Sequence, residues 1–133
     1  MSTDRLTYLD SSAIVRLAEA APESSALRQY LRRRGPYVSS ALARTEVARA
    51  LLPRGLDAVR RGQDVLLGID LVRVNDRVLN LAGALPAPTL RSLDAIHLAT
   101  ASLLGGSLAR IVTYDERMET AARDMGFTVT GPR

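Results

Sequence analysis

The stretch Leu6-Thr7-Tyr8-Leu9-Asp10-Ser11-Ser12 reads as a short apolar strand that halts at a carboxylate. A helical pattern begins at once, with Ile14, Leu17 and Ala18 at helical spacing across residues 11–20 and Ser11 or Ser12 able to cap the first turn. A strand running straight into a helix opens an α/β unit, and such sheets gather their ligands beyond the carboxyl ends of the strands. Asp10 stands at that position.

The same alternation continues to the end of the chain. Residues 23–34 form a second helical pattern, with Leu27, Tyr30 and Leu31 on its apolar side and Arg28, Arg32, Arg33 and Arg34 near its end, where cations complement the helix dipole. Gly35-Pro36 breaks it, residues 37–39 read as a strand, and Ser40 is placed to cap a helix over 41–52 that Pro53 stops. Residues 56–67 can be read as one helix or, around Arg60-Arg61-Gly62, as a turn between two. A strand over 69–74 follows, then a helix capped by Asn75 or Asp76 and ending near Gly83, a loop marked by Pro86 and Pro88, and a helix over 92–104 closed by Gly105-Gly106. A strand over 109–114, a helix over 115–125 and a strand over 127–130 complete the chain. This order predicts a three-layer α/β/α sandwich around a mostly parallel central sheet. No repeat, linker or low-complexity segment interrupts it, so residues 1–133 are expected to form a single domain.

Composition narrows the chemistry. There is no cysteine, hence no disulfide, thiolate nucleophile or cysteine-bound zinc. All 18 basic residues are arginine; without lysine there is no Walker P-loop, no Schiff base and no receiver-type phosphoacceptor site. The net charge of +4 and a pI near 10.3 favour a polyanionic or acidic partner. No run of about 18 apolar residues exists to span a membrane. Nor does the N-terminus carry the apolar core of a signal peptide, so a cytoplasmic location is expected.

Four acids remain to be explained: Asp10, Glu46, Asp94 and Asp115. Each has an ordinary structural reading. Asp10 and Asp115 both follow a strand and precede a helix, as N-caps do. Glu46 lies three residues before Arg49, the spacing of an exposed ion pair. Asp94 sits in the first helical turn, which favours an anion. Yet Asp94 is embedded in the apolar run Leu93, Ala95, Ile96, Leu98 and Ala99, where an unpaired carboxylate is costly. In an α/β sheet all four can converge at the carboxyl edge, and clustered carboxylates repel unless a cation neutralises them. Oxygen ligands without cysteine point to Mg2+, with Mn2+ as the alternative. Such a site suits phosphodiester hydrolysis by a metal-activated water.

The motifs that carry these acids resemble those of PIN-domain proteins, and most closely the VapC-type toxins, the ribonuclease half of type II toxin–antitoxin pairs. They are Leu9-Asp10-Ser11-Ser12-Ala13, Ser40 through Val47, Leu93-Asp94-Ala95-Ile96-His97-Leu98-Ala99-Thr100-Ala101, and Thr113-Tyr114-Asp115-Glu116-Arg117-Met118. The third is the most specific, and together they span essentially the whole chain. The resemblance implies a PIN-like parallel sheet, a Mg2+- or Mn2+-dependent endoribonuclease acting on structured RNA such as tRNA or rRNA, a VapB-like antitoxin as partner, and a homodimer. Residue by residue, Asp10, Glu46 and Asp94 match the acidic triad and Asp115 the more variable fourth acid, all four as catalytic metal ligands. Ser11, Ser12 and Thr113 match hydroxyls that hold waters or ligating carboxylates.

Other readings stay open. One is another Mg2+-dependent phosphohydrolase, although Asp10-Ser11-Ser12 lacks the Asp-x-Asp pair of haloacid-dehalogenase-type phosphatases. Another is a non-catalytic PIN-like module that binds RNA or protein. His97, one turn after Asp94, is expected to be structural rather than a general base, since metal-bound water needs no histidine to activate it. Arg28, Arg32–Arg34, Arg44, Arg49, Arg60 and Arg61 can be read as an RNA path or as solvated helix faces. With one Phe, four Tyr and no Trp, RNA recognition is expected to use shape and backbone rather than stacked bases.

Overall fold

The computed structural model describes residues 5–133. Strand β1 (Leu6–Leu9) leads into helix α1 (Ser11–Ala18), followed by α2 (Ser24–Leu31), β2 (Tyr37–Ser40), α3 (Ala43–Leu51) and α4 (Leu56–Leu67). Then come β3 (Asp70–Val72), α5 (Asp76–Gly83), α6 (Ser92–Leu104), β4 (Leu108–Val112), α7 (Glu116–Asp124) and β5 (Val129–Thr130). Every expected element is present, and most are shorter than the sequence pattern suggests. Helix α2 ends at Leu31 because the chain turns sharply there, with Arg33 at φ 64°. Ser40 belongs to β2 instead of capping a helix directly; its Oγ accepts from the Leu42 amide in the turn before α3.

The sheet order is β3-β2-β1-β4-β5 and every neighbouring pair is parallel. The chain builds outward from β1 through β2 to β3, then crosses back to lay β4 on the other side of β1. That reversal is a topological switch point, and it opens a crevice at the carboxyl ends of β1 and β4.

Alternation along the strands sends side chains to two cores. Leu9 and Val112 join Ala13 and Ile14 of α1, Leu27 and Leu31 of α2, and Val47 and Leu51 of α3 in one buried cluster. Tyr8, Val38 and Ile111 face the other way and pack on Leu98 of α6 and Met118 and Ala122 of α7. Helix α5 packs on α6. The result is the three-layer sandwich. Residues 56–67 form one unbroken helix, and Gly62 explains why a glycine stands at its centre. A Cβ there would lie 2.6 Å from Leu51 Cδ1 and 2.9 Å from Val47 Cγ1, so its bare Cα is what lets α4 approach α3.

Candidate active site

Asp10 leaves the end of β1 and is almost fully buried, at 3% exposure. Its Oδ1 accepts from the Ala13 amide at 3.0 Å and from Ser12 Oγ at 2.6 Å, and its Oδ2 accepts from Thr113 Oγ1. The residue is therefore an N-cap, as its position allowed, and also the most enclosed carboxylate at the switch point. Burial raises its pKa, and the hydrogen bonds from Ser12 and Thr113 offset this only in part. No arginine pairs with it among the described residues.

Thr113 and Ser12 tie the two central strands together around that carboxylate. Thr113 Oγ1 accepts from the Asp115 amide at 3.1 Å while donating to Asp10, and Ser12 Oγ accepts from the Tyr114 amide at 2.9 Å. Asp115 caps α7 through its Oδ1, which accepts from the Met118 amide at 2.9 Å. Its N-cap reading is thus also true, and the capped turn keeps the residue beside the switch point.

Glu46 projects from the first turn of α3. It makes no pair with Arg49. Its Oε1 instead accepts from Ser11 Oγ at 2.6 Å and meets His97 Nε2 at 2.7 Å. Partial burial alone would raise its pKa, but these two partners outweigh burial and hold it below the usual carboxylate value. Asp94, in the first turn of α6, accepts no hydrogen bond from a described residue. Burial raises its pKa, and the negative charges of Asp115, Asp10 and Glu46 raise it further. Asp94 therefore lies within electrostatic reach of the other three acids.

They do not form a closed cage. Among the described residues, no three acidic or imidazole groups converge tightly enough to enclose an ion on their own. The donor set is carboxylate and hydroxyl oxygen throughout, and it concentrates negative charge that a hard divalent cation would neutralise. Ser11, Ser12 and Thr113 each place a hydroxyl on one of these carboxylates.

Two features of the site were partly hidden in the sequence. Tyr8 reads as a core residue of β1, yet its hydroxyl lies 2.7 Å from His97 Nδ1. The signal was its position two residues before Asp10, on the same strand face. His97 stands three residues after Asp94, one helical turn away, and its ring is turned toward Glu46. Arg28 and Arg61, readable as an RNA path or as solvated helix faces, are exposed. They donate to Leu17 O at 3.2 Å and Ala18 O at 3.0 Å, so both close the C-terminal end of α1. Asp10 and Ser11 lie at the opposite end of that eight-residue helix, about 12 Å away along its axis.

The PIN domain model matches residues 7–124. Ribonuclease VapC46 of Mycobacterium tuberculosis is 59% identical over 125 residues, covering 94% of this chain and 96% of that protein. Ribonuclease VapC35 of the same species is 40% identical over 134 residues, covering 96% and 97%. Among solved structures, M. tuberculosis VapC20, a sarcin-ricin loop cleaving toxin, superposes with a TM-score of 0.75 at 16% identity, over 95% of this chain and 99% of that one. A toxin–antitoxin complex from Klebsiella pneumoniae gives 0.69 at 21% identity, over 96% and 98%. These two likenesses establish the shared fold.

Proposed function

The chain belongs to the PIN-domain family, among the VapC ribonucleases, and from that premise we propose that it is the endoribonuclease toxin of a VapBC-type pair. In this reading Asp10, Glu46, Asp94 and Asp115 hold Mg2+, or Mn2+ in its place. The observation that carries it is the gathering of acids at the switch point: an almost fully buried Asp10 with no cationic partner among the described residues, beside an Asp94 that feels the charges of Asp115, Asp10 and Glu46. Excess carboxylate charge at the carboxyl edge is costly to the folded chain alone and is relieved by a divalent cation.

A cation held there supplies an activated water and offsets charge on the leaving oxygen during phosphodiester hydrolysis. The rest falls to side chains of this protein. Asp10 accepts two hydrogen bonds at Oδ1 and one at Oδ2, which fixes its orientation and leaves a lone pair of Oδ2 to offer. Glu46 is held through Oε1 alone. Asp94, which accepts no side-chain hydrogen bond from the described residues, can turn toward a ligand. Ser12 and Thr113 orient Asp10, and Ser11 orients Glu46, in the manner of residues that align metal-binding carboxylates.

The substrate we propose is structured RNA, tRNA or rRNA, met by an arginine-rich surface with little aromatic area. The partners are a VapB-like antitoxin and a second copy of the chain. No helix among the described residues is long and apolar enough to cross a membrane, and we place the protein in the cytoplasm. The residues 1–133 are read as one domain. The decisive experiment is cleavage of RNA by the antitoxin-free protein with Mg2+ or Mn2+ against excess EDTA, with Asp94→Asn alongside. Cutting that needs metal and is lost in the variant supports both activity and site. Cutting that survives EDTA and the substitution would reject the metal mechanism.

A further inference from the structure

His97 is the only histidine in the chain and is 1% exposed. Both of its ring nitrogens are engaged. Nδ1 lies 2.7 Å from Tyr8 Oη, while Nε2 lies 2.7 Å from Glu46 Oε1 and 3.4 Å from Ser11 Oγ. The Tyr8 and His97 rings meet edge to face, with centroids 5.8 Å apart and planes at 84°. An ionised carboxylate can only accept, so the nitrogen facing Glu46 must carry hydrogen. Burial holds the Tyr8 phenol protonated, so with a neutral imidazole that bears its hydrogen on Nε2, the Tyr8 O–H is the group that donates to Nδ1. One continuous run of donors then passes from Tyr8 through the imidazole to Glu46.

The three residues also come from three different parts of the sandwich. Tyr8 is in the sheet, His97 in α6 on one face, and Glu46 in α3, whose apolar side belongs to the core on the other face. The imidazole is thus a brace across the open edge of the sheet. A ring that is buried and committed at both nitrogens has no lone pair to offer a water.

We propose that His97 is a positioning residue: fixed by Tyr8 in its Nε2–H tautomer, it shares Glu46 Oε1 with Ser11 and leaves Oε2 as the oxygen offered to a divalent cation. The proposal rests on the endoribonuclease reading above and assigns one of its ligands an orienting partner. Partners of this kind are worth about 10–100-fold in metal affinity or activity.

The test is Mn2+ affinity, read from the electron paramagnetic resonance signal of free Mn2+, which needs no turnover. His97→Ala is expected to weaken binding by about 10–100-fold. Tyr8→Phe should weaken it less, and His97→Gln, whose amide can still donate to Glu46, should recover part of the loss. Nitrogen NMR of the single imidazole should report the Nε2–H tautomer, with a resonance that moves in Glu46→Gln. Unchanged Mn2+ affinity in a folded His97→Ala overturns the proposal. If that variant does not fold, the wild-type spectrum decides, and an Nδ1–H tautomer overturns it. A wild type that neither binds Mn2+ nor cuts RNA overturns the underlying reading, and this one with it. A wild type that does both while His97→Ala matches it removes the positioning role alone.

Discussion

Thr113 Oγ1 donates to Asp10 Oδ2 across the seam between β4 and β1, joining two buried residues 103 positions apart in the chain. The same hydroxyl accepts from the Asp115 amide, so one atom serves two of the four acids.

Thr113→Val keeps the shape of the side chain and deletes that atom. The change strands an amide and a buried carboxylate oxygen, which costs about 1–3 kcal/mol in stability. It should lower metal-dependent cleavage by about 10–100-fold, the effect of losing an orienting partner. Urea unfolding and single-turnover cleavage measure the two losses; a fully active Thr113→Val would show that Asp10 needs no help from β4.

Asp94→Asn should separate stability from activity. The folded state raises the pKa of Asp94, so it binds the proton more tightly than the unfolded chain does. Folding stability therefore falls as pH rises from the ordinary carboxylate range through the raised folded value, and the penalty persists at neutral pH. Asparagine removes the charge without losing any hydrogen bond, so the variant should melt higher than wild type in EDTA at neutral pH. The two should converge below the unfolded pKa. Adding Mg2+ should reverse the order, since binding to wild type contributes about 2.7 kcal/mol at a hundredfold excess over Kd. Thermal melts across pH, with and without Mg2+, provide the readout.

Gly62→Ala sets helix propensity against space. Alanine favours a helix interior by about 1 kcal/mol, but the added methyl meets Val47, whose branched side chain is stiff, and overpacking of this kind costs about 1–3 kcal/mol. A small net destabilisation is expected. Because Val47 adjoins Glu46, cleavage should fall more than a change at the far side of α4 would cause. Comparing Gly62→Ala with Gln63→Ala in both assays isolates that effect.

Arg28→Ala and Arg61→Ala should each lower stability by about 0.5–1.5 kcal/mol through lost bonds to the end of α1. Neither should change the slope of RNA affinity against salt, which drops by about 1 for each phosphate contact removed. A reduced slope in either variant would return these arginines to the RNA path.

The alternation of strand and helix made the layers legible in the sequence, and the position of Asp10 and Asp115 after strands pointed to the carboxyl edge of the sheet, where both lie. Strand order was not legible, because it depends on which crossover the chain takes after β3. Glu46 shows why local patterns mislead. Spacing along the helix suggested Arg49, whereas its partner is His97, 51 residues later and on the opposite helical layer. The continuity of α4 was equally hidden, since Gly62 weakens a helix by propensity and is tolerated only because α3 passes so close. Arg28 and Arg61 are exposed, as a solvated helix face requires, but their bonds to carbonyls of α1 join elements that a linear reading does not bring together.

The crossover that lays β4 beside β1 has a consequence in time. A ribosome making this chain releases Asp10 and Glu46 early, but Asp94, Thr113 and Asp115 emerge only in the last third. Until that last third is made and β4 is seated, Asp10 lacks the Thr113 hydroxyl that bonds it, and Asp94 and Asp115 are missing from its surroundings. The four acids of the proposed site therefore come together only after the last third of the chain has been made.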